Sequence, residues 1–109
     1  MANQKLLTKA ILNKLPGLRE TDSQGEEAIV RVKFFDAFGS WSWYATEYDP
    51  ETRRFFGLVK GFETELGYFT LDELEGLTHN FLGLECKRIE RDTFFKPCTI
   101  EEVRAKEYA

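Results

Sequence analysis

The chain has 109 residues, 42% of them hydrophobic and 31% charged, with a net charge of −4. That length predicts one domain, able to bury a core without covalent staples. The acidic balance disfavours simple polyanion binding, and two cysteines are too few for a disulfide framework. No run approaches the roughly 18 apolar residues of a membrane span, and MANQKLLTKAILNKL lacks a secretory-type apolar segment, so no membrane association is expected. The expected location is the cytoplasm, with reduced thiols.

Leu7, Ile11, Leu12 and Leu15 fall on one helical stripe, which predicts a short amphipathic helix over about 6–15, stopped by Pro16-Gly17. LRETDSQGEE is polar and aperiodic, hence a loop. From Ala28 the period becomes two. Ala28, Val30, Val32 and Phe34 alternate with Ile29, Arg31, Lys33 and Phe35, the pattern of a strand. Gly39 lies in a hairpin loop. Trp41, Trp43 and Ala45 then alternate with Ser42, Tyr44, Thr46 and Tyr48 in a second strand. Asp49-Pro50 opens a turn, and a third strand over 54–62 places Phe56, Leu58 and Phe62 on one face. Both tryptophans lie in this meander, where rings alternate with polar residues because one face meets the core.

GYFT continues the sheet core, about 28–69, into a helix at about 71–76 opened by a capping box, Thr70 with Glu73. Residues 78–84 read as irregular. A strand over about 87–96 sets Ile89 and Phe95 against Glu90, Asp92 and Phe94, and Pro97 ends it. A second capping box, Thr99 with Glu102, opens a terminal helix over about 100–107. The predicted fold class is α+β: an antiparallel meander sheet of four to five strands, with short helices packed mainly on one face.

The chemistry is bounded by what is missing. His79 is the single histidine and sits in a polar stretch, as a solvent-exposed loop residue does. One histidine and two cysteines cannot make a four-ligand zinc site, and no phosphate-cradling glycine loop is present. Gly57 and Gly61 read as strand glycines at a bulge or close backbone approach. No catalytic residue, metal or cofactor is therefore assigned. Glu63 with Glu65, and Glu90 with Asp92, have the i, i+2 spacing that sets two carboxylates on one strand face, where they could hold Mg²⁺ or Mn²⁺ or pair with Arg53, Arg54, Lys87 or Arg88. Arg31, Lys33 and Phe35 share one strand face, Tyr44 and Tyr48 share another, and Arg53, Arg54 and Lys60 follow. A basic and aromatic sheet face can stack bases and hold phosphates.

WSWYATEYD, FFGLVKGFETELGYFTLDEL and IERDTFFKP resemble, in the same order, blocks of the bacterial small-protein family called domain of unknown function 2958. The similarity covers about residues 28–97. It implies occurrence on plasmids, conjugative elements and phages, with no assigned biochemical activity. It also draws attention to Trp43, Tyr44, Glu47, Glu63, Glu65, Glu90, Arg91 and Asp92. The chain departs from the family pattern by inserting Glu85 to Arg88 where the family has a single proline, which puts any site using that loop in doubt. The expected function is a non-enzymatic binding module of mobile elements, with single-stranded nucleic acid the leading partner. The rivals are an acidic protein-binding regulator and, last, a metal-dependent phosphodiesterase. Edge strands and exposed rings also leave room for a homodimer.

Overall fold

The computed structural model describes residues 5–107. In chain order the elements are α1 (Lys9–Leu12), β1 (Ile29–Val30), β2 (Val32–Asp36), β3 (Ser42–Asp49), β4 (Arg54–Lys60) and β5 (Thr64–Thr70). Then follow α2 (Leu71–Gly76), β6 (Thr78–Phe81), β7 (Leu84–Lys87), β8 (Ile89–Arg91), β9 (Cys98–Thr99) and α3 (Ile100–Glu107). Five strands make one antiparallel sheet in the order β5-β4-β3-β2-β8, while β1–β9 and β6–β7 form two small pairs. The fold is α+β, as the strand-rich pattern predicts.

The sheet is covered on both faces. On one, Phe34, Trp43, Tyr48, Phe55 and Phe69 pack with Leu6, Leu71 and Leu74, and the stripe of Leu7, Ile11, Leu12 and Leu15 closes the edge. Phe55 lies at the centre, stacked on Phe69 at 5.1 Å and edge-on to Phe34 at 5.4 Å. On the other face Tyr44 and Leu58 pack against Ala28, Val30, Ile100 and Val103. Thus α1 and α2 dress one face, and α3 with β1–β9 dresses the middle of the other.

Two features break the simple alternation. Arg31 interrupts the first strand, and its N–H bonds the Ala45 carbonyl at 2.8 Å while β1 turns away to pair with β9. Val30 and Val32 are both buried, yet they belong to opposite layers. In β3, Ala45 pairs with Gly57 and Glu47 with Phe56, which leaves Thr46 as an extra residue. Such a β-bulge reverses the face parity beyond it. Tyr48 therefore joins Trp43 and Ala45, and the expectation that Tyr44 and Tyr48 share a face is corrected.

Several boundaries also differ from the sequence expectation. The N-terminal helix is one turn, capped by Thr8, because from Lys14 the bonds tighten to i→i−3, Lys14 N–H to the Ile11 carbonyl and Leu15 N–H to that of Leu12, before the chain reaches Pro16. β4 stops at Lys60, and Phe62 is 96% exposed in the following turn, edge-on to Trp41 at 5.4 Å. Residues 78–87 form a hairpin rather than an irregular segment. Its turn has positive φ at both Leu82 (54°) and Gly83 (82°), the geometry of a two-residue hairpin loop, but leucine there gives no turn signal. Leu84–Lys87 completes this hairpin, and the Nε of Arg88, just beyond it, donates to both Asp36 carboxylate oxygens at 2.9 Å. The strand expected over 87–96 is only β8, because the Asp92 side chain accepts the Phe94 N–H at 2.9 Å and turns the chain there.

The second capping box closes fully, Thr99 and Glu102 capping each other's N–H groups at 3.1 and 3.0 Å. The first closes by half: the Thr70 hydroxyl accepts the Glu73 N–H at 3.0 Å, but the Glu73 carboxylate meets the Thr70 hydroxyl at 3.1 Å and not its N–H. Thr99→Ala is expected to lower stability by about 1 kcal/mol, read as a lower denaturant midpoint at unchanged m-value. Cys86 and Cys98 are free thiols, and burial pushes the Cys98 thiol pKa up.

Candidate functional site

The structure gathers Lys33, Tyr44 and Asp92, but not as an open platform. Lys33 lies opposite Tyr44 in the β2–β3 ladder, its ammonium 5.3 Å from the ring centre and 3.9 Å from Asp92 Oδ2. Tyr44 is only 2% exposed, with Phe95 edge-on to it at 6.1 Å, so it has no free ring face for a base. Tyr48 is buried on the opposite face with its ring 4.5 Å from Phe55, and burial raises the pKa of its phenol. Trp43 is a core residue.

Glu47 is 1% exposed and fully engaged. Its carboxylate accepts the Arg19 N–H at 2.8 Å, the Thr21 N–H at 2.9 Å and the Thr21 hydroxyl. The bulge aims it at the 19–21 loop, where it serves as an anchor. Arg53, at φ 58°, clamps α2: Nε reaches Asp72 at 2.8 Å, a second guanidinium nitrogen reaches Glu75 at 2.7 Å, and its carbonyl accepts the Leu71 N–H. The Asp72 hydrogen bond raises the Arg53 pKa.

The carboxylate pairs part company. Glu63 lies in the β4–β5 turn and Glu65 on β5, both exposed beside a hollow of about 320 Å³ lined by Trp41, Val59 and Phe62. Glu90 lies opposite Phe35, while Asp92 is committed to its turn and to Lys33. Arg91 donates to the carbonyls of Lys5 and Leu6. Among the described residues no group of three or more His, Cys, Asp or Glu could hold a metal ion. His79 is not the exposed loop residue expected; half-buried in β6, it stacks on Phe38 at 4.1 Å.

An open aromatic and basic face does exist, one strand pair away. On β4–β5, Phe56 lies opposite Tyr68 and Leu58 opposite Leu66, with Lys60 opposite Thr64 and Arg54 opposite Thr70. Tyr68 is 55% exposed, edge-on to Phe56 at 5.1 Å, and the Arg54 guanidinium carbon lies 5.0 Å from its ring centre. Of these residues, the sequence pattern singles out Arg54 and Lys60 as candidates but not Phe56, Leu66 or Tyr68. The alternation of Thr64, Leu66, Tyr68 and Thr70 was the available signal. Leu58 itself is buried in the cluster with Ile100 and Val103 of α3, so the exposed part of this strip is its β5 side, Leu66 and Tyr68, with Arg54 at its end.

What fold and surface define is a small α+β domain with a doubly covered sheet and one largely exposed edge strand, β5. The chain belongs to the family described as protein of unknown function (DUF2958), whose model matches residues 6–105. No curated protein and no solved structure matches it. No helix among the described residues is long and apolar enough to cross a membrane.

Proposed function

We propose that this protein is a cytoplasmic, non-enzymatic binding module of mobile genetic elements, and that the β4–β5 face takes single-stranded nucleic acid. The observation that carries the reading is the exposed Tyr68 ring flanked by Phe56 and capped by Arg54. Aromatic rings on a bare sheet stack bases of any sequence, and an arginine beside them neutralises the backbone. The site has few cations in a chain of net charge −4, so affinity is modest and, with few phosphates neutralised, falls only gently with salt.

Fluorescence anisotropy with a labelled single-stranded oligonucleotide at low salt tests this. Tyr68→Ala is expected to weaken binding about tenfold, in keeping with the worth of one stacked base. Arg54→Glu should weaken it further, while Lys33→Glu, already internally paired, should change little. Absence of binding at low salt, or full binding by Tyr68→Ala, rejects the reading.

A second reading, a protein-binding regulator, is favoured by the β6–β7 tip, where Phe81, Leu82 and Leu84 are exposed and Leu82 is 88% so. Isolated apolar tips of this kind suit a partner's pocket. Leu82→Asp should then abolish co-purification of that partner and leave oligonucleotide binding intact. A homodimer would use the edge strand β5, whose outer side has no backbone partner among the described residues.

A further inference from the structure

Where β8 ends and the chain leaves the edge of β2, a hollow of about 280 Å³ opens between α1 and the 91–97 turn. Lys14, Arg31 and Arg91 line it, with Asp92, Thr93 and Phe95. Its one carboxylate is already spent: Asp92 faces Lys33 and accepts the Phe94 N–H. Lys14 has no ion pair among the described residues. The Arg31 Nε is buried without any hydrogen-bond partner.

A buried donor left unpaired costs about 1–3 kcal/mol, and native proteins seldom leave one without a reason. Here the reason has a shape. Ile11, Val32, Phe95 and Pro97 supply an apolar wall beside the guanidinium, and low dielectric strengthens any anion contact made there. Three cations around one hollow, in a chain otherwise acidic, suit a dianion better than a carboxylate. Arginine's planar fork matches phosphate oxygens in particular. The volume falls just below the usual range of about 300–1,000 Å³ for small-molecule pockets, so the ligand is small.

We infer that this hollow binds a phosphate monoester, with Arg31 as the principal donor and Lys14 closing the mouth. Arg91 sets the wall, fixed by the carbonyls of Lys5 and Leu6. The group is either free, as in a mononucleotide, or the 5′ end of a strand. The assignment is independent of the β4–β5 face.

The test is a ¹⁵N NMR titration of the full chain with inorganic phosphate, a nucleoside 5′-monophosphate and the unphosphorylated nucleoside. Saturable shifts are expected at the Arg31 and Thr93 amides and the Arg31 Nε–H with the first two and not the third. Arg31→Lys should weaken the monophosphate about tenfold and Lys14→Glu at least as much, since each loses a charge-assisted contact. Lys14 is exposed after α1, so its variant folds even where the Arg31 variant does not. Tyr68→Ala should leave the titration unchanged. A 5′-phosphorylated oligonucleotide outbinding its 5′-hydroxyl twin at these amides places the ligand at a strand end; equal binding places it as a free metabolite. No saturable shift at Arg31 and Thr93 with either phosphate probe at low salt, or an unaltered titration in Lys14→Glu, overturns the site.

Discussion

Gly57→Ala is expected to lower Tm by about 20 °C or to prevent folding outright, the larger of two effects centred on the β3 bulge. A Cβ at position 57 would sit 1.9 Å from the Tyr44 carbonyl oxygen and 2.8 Å from its carbon. Both are backbone atoms, so no rotamer change relieves the clash. β3 and β4 would have to separate around the Ala45–Gly57 pair, at the middle of the most buried strand. The loss would be about 4 kcal/mol or more, against a total stability of about 5–15 kcal/mol for a domain of this kind. Gly67 is the control. It pairs with Gly57 from the β5 side, yet a Cβ there meets nothing within 4 Å. Gly67→Ala should be neutral or slightly stabilising, since alanine orders more readily than glycine. Thermal melts of the two variants separate a close-approach glycine from a merely tolerated one. Equal melts would mean that β3 and β4 do not approach closely at the bulge.

The bulge also shows where reading from sequence succeeds and where it stops. Period-two alternation places Val30, Val32, Phe34 and Trp43 in the interior, and both capping boxes locate α2 and α3, because these signals are local and repeat over short windows. One added residue at Thr46 has no local signature beyond the close-approach glycine opposite Ala45, and it moves Tyr48 across the sheet. Arg31 has the same effect on the first strand, separating Val30 from Val32. The β6–β7 hairpin was hidden because Leu82 occupies a left-handed turn position that normally announces itself with asparagine or glycine. As for the site, residue types were legible and their availability was not. Tyr44 and Arg54 look alike as candidates in the chain. Coverage by Phe95 and α3 buries the first, and its place at the end of β4, beside exposed β5, leaves the second open. The Arg31 cavity depends on α1, β2 and the 91–97 turn meeting, which no spacing rule encodes.

Glu47→Leu carries the second large effect, a fall in Tm of about 15 °C, equivalent to roughly 3 kcal/mol. The carboxylate lies at the bulge exit on the face of Phe56 and is the acceptor for two backbone N–H groups and one hydroxyl. Leucine matches its bulk and removes every acceptor. Thr21 is itself buried, so its N–H and hydroxyl lose their partner where water cannot replace it, at about 1–3 kcal/mol for each orphaned group. Arg19 is more exposed and recovers a water, which limits its share. Glu47→Gln keeps one carbonyl oxygen but turns an NH₂ toward donors, so an intermediate loss is expected. Hydrogen exchange locates the effect: the Thr21 amide should lose protection in both variants while the Phe55 amide in β4 keeps its own relative to global stability. This outcome marks Glu47 as an anchor despite its place in the WYATE block. The opposite pattern, an unchanged or raised Tm with loss of oligonucleotide binding, is the signature of a site residue held at a cost to stability. It would reassign the carboxylate from tethering the 19–21 loop to contacting a ligand.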